Sequence, residues 1–530
     1  MSIRDIIASY LVKVIPKGTA VDLRVPDENQ DAHYATSVAF RLGKEQDKNP
    51  REAAEEIILK LLKIAPPELF DRVEVAGPGF INFWLSQKTL NAELGKILKE
   101  NKKYGTSNNI KDNIQLEFIS ANPTGPLTLA NGRGGFLGDV LGNILKAAGA
   151  KVEKEYYVND TGNQVFTFGK SLLAARGIIK DEENFYKGGY VAEWAKKNAK
   201  FVTKMKSKPM ELGERAAKDL LKKIKADIGK KAKIKFDRYT SEKKIHQLKL
   251  PEKILQIFGK GGWTYEQDGA LWLKTTPFGD DKDRVLITSK DNLPTYLLAD
   301  AGHYLETKKR GFDTKINILG PDHYGYVKRI QAVAKILKFK KSEVLITQAI
   351  RLMRDGQEFK MSKRKGEFVT FEDLVTEVGA DVARFFFLMI APETHMDFDM
   401  NLAKERSNKN PVFYLQYAYV RANNVLQKAK NYKSKVISHK LLNTEADVKL
   451  IRSLAQFPDI ITDTAKDYQV HHITRYALDL AHDFHNFYEK ERVLGEPKDI
   501  AAARYDLIKA AASVFENLFG ILGITKPKKM

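Results

Sequence analysis

Between Ala53 and Ile64 apolar residues recur at steps of three and four, the spacing of an amphipathic helix. The pattern then changes to VEVAGPGFINFWLS, an extended β-branched and aromatic stretch broken by Gly77, Pro78 and Gly79. A small α+β unit is therefore expected over the first hundred residues, and the polar, Asn- and Lys-rich run from Glu100 to Asn113 reads as a linker. The next segment opens with the strand-like IQLEFIS, turns at ANPTGP, continues as a long helical pattern through Ala148 and returns to a strand at VEKEYYV. Strand, turn, helix and strand in that order begin a βαβ unit and a parallel sheet. Lys-rich helical sequence from Gly169 to Leu250 breaks the pattern, so an insertion is expected at about 170–280. Sheet-like runs come back at LWLKTT, RVLIT, INILG and EVLIT, alternating with helical stretches. From about Leu402 to the end the period is almost wholly helical.

These patterns predict an α/β protein in three parts: an N-terminal α+β domain over 1–108, a Rossmann-like parallel-sheet domain over 109–400, and a C-terminal all-α helical bundle over 401–530. No internal repeat or low-complexity tract is evident. A length of 530 residues suits this number of domains, and 43% hydrophobic with 29% charged residues is ordinary for a globular protein. The balance of charge is not ordinary. Lys and Arg number 88 against 67 Asp and Glu, a formal net charge of +21. That excess favours polyanions through counterion release and makes nucleic acid the first partner to consider; a solvated Lys-rich surface explains composition equally well. The sequence contains no cysteine, which rules out disulfides, thiolate zinc sites and a cysteine nucleophile. The start MSIRDIIASYLVKVI carries an early aspartate and no small-residue cleavage site, and no apolar run approaches the roughly 18 residues of a membrane span. A cytoplasmic protein without membrane partners is expected.

Two segments carry candidate chemistry. Ser120-Ala-Asn-Pro-Thr-Gly-Pro-Leu-Thr-Leu-Ala-Asn-Gly-Arg-Gly-Gly135 lies between a predicted strand and helix, at the sheet edge where such folds bind ligands. Gly132, Gly134 and Gly135 would let a nucleotide approach the backbone, and the helix that follows offers N–H groups and a positive dipole end to phosphate. Alone, the loop reads as well as a tightly packed turn. Phe359-Lys-Met-Ser-Lys-Arg-Lys-Gly366 has the makings of a loop that closes on a triphosphate, with Lys360 and Lys363 set to neutralise pyrophosphate as it leaves. Alone, it too could be merely an exposed basic loop.

The pair, in this order and split by an insertion, resembles the class I aminoacyl-tRNA synthetases, whose KMSKS-type loop is matched here by KMSKR. ANPTGPL, YVNDTGNQ, DGALWLKTTPFGDDKDRVL, DVARFFFLM, THMDFDMNLAKERSNKNPV and YLQYAYVR further resemble arginyl-tRNA synthetases, and the likeness extends over nearly the whole chain, from GPGFINF to the closing LGITKPKKM. One motif departs. The family's His-x-Gly-His corresponds to Thr128, Leu129, Ala130 and Asn131, so both imidazoles are replaced by groups that donate hydrogen bonds to phosphate without becoming cationic. A Thr-x-Gly-Asn form occurs in other class I synthetases, and Ala130 adds a methyl where adenine would lie.

The resemblance implies that L-arginine is activated by ATP with Mg2+ to arginyl-adenylate, then transferred to the 2′-hydroxyl of the terminal adenosine of tRNA(Arg), with no structural zinc. Its alternatives are another class I synthetase, or a catalytically inactive tRNA-binding paralogue. Thr128, Asn131, Lys360 and Lys363 are the implied catalytic residues; Ala130, Gly132, Met361 and Ser362 join them around ATP. For arginine the resemblance points to Glu117, Ser120 and Asn122 at the amino-acid backbone, and to Tyr296 and Asp300, one helical turn apart in TYLLAD, at the guanidinium. Asp322 and His323 in LGPDHYGY fall near the same pocket. Without the resemblance, Asp300 would read as a solvated helix carboxylate and Tyr296 as a core aromatic. Phe80 and Asn82 match contacts to the tRNA elbow, and Tyr414, Tyr417 and Met530 match the side that approaches the anticodon; each could equally be packing residues. Basic helices between Lys196 and Lys244 suit either an acceptor stem or solvent. A monomer is expected by family habit, as is a need for bound tRNA before arginine is activated.

Overall fold

A computed structural model of the chain describes every residue except 27–31, 291, 360–368, 430–431 and 433–438. The chain divides into two units. One comprises 110–405 with 469–471, and the other 1–109, 406–468 and 472–530.

The first of these is built on a five-stranded parallel sheet: β1 (Asn113–Glu117), β2 (Lys151–Val158), β3 (Arg238–Ser241), β4 (Thr314–Leu319) and β5 (Lys341–Ile346). Its spatial order is β5-β4-β1-β2-β3. The chain leaves β1 in one direction through β2 and β3, and returns on the other side through β4 and β5. The switch therefore falls between β1 and β4, and a doubly wound sheet opens a crevice beyond the strand ends at such a point. The edge strand β3 comes from the segment expected to be inserted. Only four residues long and preceded by lysines, it presents too short an alternation to stand out, yet it pairs with β2 from Glu155↔Arg238 to Val158↔Ser241.

The helix Leu129–Ala147 runs back across this sheet and lies unusually close to it. A Cβ on Gly138 would stand 2.2 Å from the Phe118 ring, and one on Gly132 2.2 Å from Phe371. Glycine in a helix interior costs roughly 0.5–1 kcal/mol relative to alanine, so the close approach is what those positions provide. Arg133, buried in the same turn, donates to the carbonyl oxygens of Gln348 (3.0 Å), Thr394 (2.8 Å) and Ala391 (2.8 Å) and ties the helix start to two loops. A smaller antiparallel sheet of Thr264–Gln267, Ala270–Leu273 and Arg284–Ile287 precedes the helix Tyr296–Lys309. Leu273 and Leu286 from that sheet share an apolar cluster with Leu297, Leu298 and Tyr304 of that helix.

In the other unit, four antiparallel strands stand in the order Leu23–Arg24, Tyr34–Thr36, Phe80–Leu85, Phe70–Ala76, and pack with helices from both ends of the chain. Buried Tyr34 donates to Asp459 Oδ2 at 2.8 Å, and Arg4 to Asp463 Oδ2 at 2.5 Å. Thr444 and Asp447 form a reciprocal cap at the start of the helix Glu445–Ala455, which supplies partners for two otherwise orphaned N–H groups. The last helix, Lys498–Leu522, is rich in alanine, buries residues from Ala501 to Leu522 and stops at Gly523 in the left-handed conformation. Among the described residues no helix is long and apolar enough to cross a membrane.

Candidate active site

At the switch point lies a cleft of about 850 Å³. Its floor is the carboxyl end of β1 and β4, and its walls are the starts of the helices Leu129–Ala147 and Tyr296–Lys309. Glu117 closes β1. The two residues after it include Ile119, whose φ of 64° puts a β-branched side chain in the left-handed region, and they are followed by Ser120 at φ 39°. Such conformations cost of order 1–3 kcal/mol each and persist where the surroundings impose them, commonly at functional sites. Here the turn lets Ser120 Oγ accept from Tyr157 N (3.0 Å) and brings Asn122 Oδ1 to Asn159 Nδ2 (2.5 Å). Glu117, Ser120 and Asn122, expected to meet the amino-acid backbone, all line the cleft.

Thr128 and Asn131 also line it, and they bond to each other. Thr128 is the N-cap of the helix; its N–H and its hydroxyl each donate to Asn131 Oδ1 at 2.9 Å. With Oδ1 so occupied, the amide orientation is fixed and Nδ2 is left as a donor. The departure from the histidine motif thus gives a capped helix end that presents N–H groups rather than imidazoles. Ala130 and Gly134 border the same space. Gly132 does not: the close approach expected of a nucleotide there is made by Phe371 instead. Gly135 likewise faces Ile119 and Ile234. Lys360, Met361, Ser362 and Lys363 lie outside the described residues.

On the opposite wall Asp300 is reached by the Tyr326 hydroxyl, which donates to its Oδ2. Burial pushes the Asp300 carboxyl up to about 6, against the lowering effect of that hydrogen bond. Tyr296, by contrast, is 70% exposed at the mouth of the cleft. His323 and Asp322 line the cleft as well, with the His323 ring edge-on to Tyr326 at 6.4 Å.

The structure adds a residue that sequence reasoning missed. Glu242, first residue of the helix Glu242–Gln247, faces the cleft, and burial followed by its neighbours Asp300 and Asp160 pushes its carboxyl up to about 7. Asp160 caps that helix by accepting from Ser241 Oγ (2.7 Å) and Lys243 N (3.0 Å). The available signal was a lone carboxylate directly after the β-branched end of DRYTSE. Two further cleft-lining atoms, the Tyr157 hydroxyl and Gln164 Oε1, are buried without a hydrogen-bond partner. Polar groups left in that state are costly, and a polar ligand would relieve them. The arrangement can therefore hold a cationic, hydrogen-bonding molecule among carboxylates, beside a helix end suited to phosphate.

Comparison with known proteins reaches nearly the whole chain. Residues 1–85 match the arginyl tRNA synthetase N terminal domain, 93–385 the catalytic domain of class I (R) tRNA synthetases, and 415–530 the DALR anticodon binding domain. The chain belongs to the arginyl-tRNA synthetase family. An arginine–tRNA ligase of Listeria monocytogenes is 40% identical over 96% of the chain and 94% of its own length, and one of Geobacillus thermodenitrificans is 39% identical over the same shares. The solved arginyl-tRNA synthetase of Thermus thermophilus, at 19% identity, has the same fold with a TM-score of 0.78 over 99% of both chains. Nothing in these comparisons favours an inactive paralogue.

The residues that the family resemblance assigns to tRNA lie in the other unit. Phe80 is half-buried with its ring edge against Phe40 at 4.9 Å. Asn82 is buried, flanked by Ala35 and Glu74 on the neighbouring strands, with Oδ1 unpartnered. Tyr414 and Tyr417 project from the helix Pro411–Lys428 onto His485, with ring centroids 4.6 and 5.7 Å away. Arg421 lies 4.3 Å over the Tyr417 ring and 4.7 Å over Tyr488. Met530 is exposed.

Proposed function

We propose that the cleft binds L-arginine and ATP side by side and joins them as arginyl-adenylate before transfer to tRNA(Arg). Ligase activity follows from family membership; the assignment of residues rests on one observation. Three carboxylates, Glu117, Asp300 and Glu242, converge in the same cleft as the capped start of the helix Leu129–Ala147. Free arginine carries two cations, an α-ammonium and a guanidinium, and the spread of carboxylates suits both. In this reading Glu117, with Ser120 and Asn122, takes the α-amino end. Asp300 and Glu242 take the guanidinium, and Tyr296 folds over it on binding.

ATP, arriving with Mg2+, lies along Thr128, Ala130, Asn131 and Gly134, with its phosphates at the helix end and the Asn131 amide. The arginine carboxylate attacks the α-phosphorus and pyrophosphate departs. Lys360 and Lys363 neutralise the leaving charge. The terminal 2′-hydroxyl of tRNA then takes the arginyl group and releases AMP. No protein nucleophile is required; positioning and charge compensation carry the step. Phe80 stacks on the tRNA elbow, and Tyr414, Tyr417 and Met530 meet the anticodon side. A parsing into 1–108, 109–400 and 401–530, a monomeric state and a cytoplasmic location complete the proposal.

Charging of purified tRNA with each of the twenty amino acids tests it, run beside ATP–pyrophosphate exchange with and without tRNA. Charging by arginine alone, with exchange that requires tRNA, is the expected result. Binding of tRNA with neither reaction would overturn it.

A further inference from the structure

A parallel sheet covered on both faces is ordinarily apolar throughout, because helices seal each side from water. One face of this sheet is not. Along β1 the sequence alternates Ile114-Gln115-Leu116-Glu117, and along β4 Lys315-Ile316-Asn317-Ile318. The strands pair in register, Lys315 beside Gln115 and Asn317 beside Glu117, so four polar side chains occupy adjacent places on one face. The helix Tyr296–Lys309 covers them. Lys315 is fully buried. Its ammonium donates to Gln115 Oε1 at 2.6 Å and Glu117 Oε2 at 2.9 Å, and lies 4.9 Å from the centre of the Tyr304 ring.

A buried ammonium is expensive, and one beneath a pocket for a ligand with two cationic groups opposes those charges. Its position accounts for its presence. Asn317 Nδ2 donates to the same Glu117 Oε2 at 2.9 Å, and the Tyr304 hydroxyl holds Asn317 by donating to its Oδ1 at 2.9 Å. His303 Nδ1 stands 3.6 Å from that oxygen. These groups all gather on Oε2 and leave Oε1 to a ligand. The other charged neighbours of Glu117 work against ionisation: Glu155 from β2, itself bound to His303 Nε2 at 2.6 Å, and Asp300 from the covering helix. Burial alone would push Glu117 up. The Lys315 ammonium, then His303, more than reverses this, and the carboxyl sits below its ordinary value.

We propose that Lys315 is a positioning residue for arginine recognition, a buried cation that holds the Glu117 carboxylate in place with one oxygen presented to the α-ammonium of the substrate. This rests on Glu117 as the α-amino site. Lys315 never touches substrate. It acts through Glu117, and its removal lets burial raise the carboxyl, so that Glu117 must lose a proton before arginine can bind.

The test is the pH dependence of arginine use by the full-length enzyme charging tRNA. Lys315→Met is expected to raise the arginine KM about 30-fold at pH 6.5, with KM for ATP and for tRNA within twofold of the parent. The deficit should shrink to within about threefold by pH 9, as alkali restores the Glu117 anion. Lys315→Arg, which keeps the cation, should show no such recovery because it needs none. A loss of equal size at every pH, or one shared by kcat and the ATP KM, would mean that Lys315 only supports the fold and would overturn the proposal. Should Lys315→Met fail to fold by circular dichroism, Asn317→Leu carries the same test with a smaller, likewise alkali-reversible effect. Glu117→Gln separates the two layers of the argument. If it leaves the arginine KM unchanged, the assignment of Glu117 is at fault; if it raises KM at all pH values while Lys315→Met does not, only the role of Lys315 falls.

Discussion

The cleft and the aromatic face of the C-terminal helices, which we propose meet arginine and the anticodon side of tRNA, are built in different ways. In the cleft, carboxylates are braced by hydrogen bonds from the frame around them: half-buried Asp300 by Tyr326, and buried Glu117 by Lys315 and Asn317. On the helical face, half-buried Tyr414 and Tyr417 tilt against buried His485, with ring centroids 4.6 and 5.7 Å away, and half-buried Arg421 lies 4.3 Å over Tyr417. A small ligand with two cationic groups is selected best where water is excluded and competing charges are fixed, because screening erases specificity. A nucleic-acid loop brings its own large surface, and flat rings with a nearby cation suffice to stack its bases. Fixed charges serve the one and flat rings the other.

Removing a carboxylate from the deep site should therefore cost most. Asp300→Asn is expected to lower kcat/KM for arginine by roughly 10²–10³-fold, the usual range for breaking a buried charge pair, with ATP KM unchanged in steady-state charging. An effect below fivefold would remove Asp300 from the guanidinium site. The next contrast is pH. Burial pushes the Asp300 and Glu242 carboxyls up to about 6 and about 7, and a guanidinium favours their anions. Protons are thus released on binding, so arginine affinity should rise about tenfold from pH 6 to 8 and level off above. Glu242→Gln should weaken arginine binding and flatten the upper part of that rise, as read from KM across the pH range. The shallow site should respond about equally in size but in a different parameter. Tyr417→Ala is expected to raise KM for tRNA about tenfold at constant salt while arginine-site kinetics stay as they were. A change in arginine KM there would dissolve the contrast between the two regions. Smallest in its effect on substrate affinity is a change that lines neither site. Gly138→Ala should destabilise the protein by about 1–3 kcal/mol in denaturant unfolding, since its methyl meets Phe118.

The same contrast explains what was legible in the sequence. Glu117, Ser120, Asn122, Thr128 and Asn131 belong to one continuous strand–turn–helix, so a single motif of the family resemblance covers them together. Asp300 and Tyr296 are named by the resemblance, and regular helical spacing adds only that they share one face. Glu242 reaches the cleft only through β3, a four-residue strand set among lysines, and no local period announces it. Lys315 was visible as a charge alternating with isoleucines in TKINIL, yet its partners lie some 200 positions away, and only the β1–β4 register joins them. Gly132 misled in the other direction. A glycine beside a ligand loop and a glycine beside a phenylalanine look identical in one dimension. The strands and helices of both chain ends were readable too, whereas their packing into one unit depends on contacts such as Tyr34 with Asp459, which sequence order hides.

Those missing side chains along the helix Leu129–Ala147 have a kinetic meaning beyond stability. They act as a gauge block. The thickness of bare backbone sets how far the helix mouth, where the phosphates would lie, stands from the strand end that carries Glu117. Bond formation between carboxylate and phosphorus requires reacting atoms about 3–3.5 Å apart, and an error of 1 Å in such placement can cost about a hundredfold in rate. A methyl group inserted far below the cleft would thus be read out as a slower reaction, in a site whose own residues had not changed.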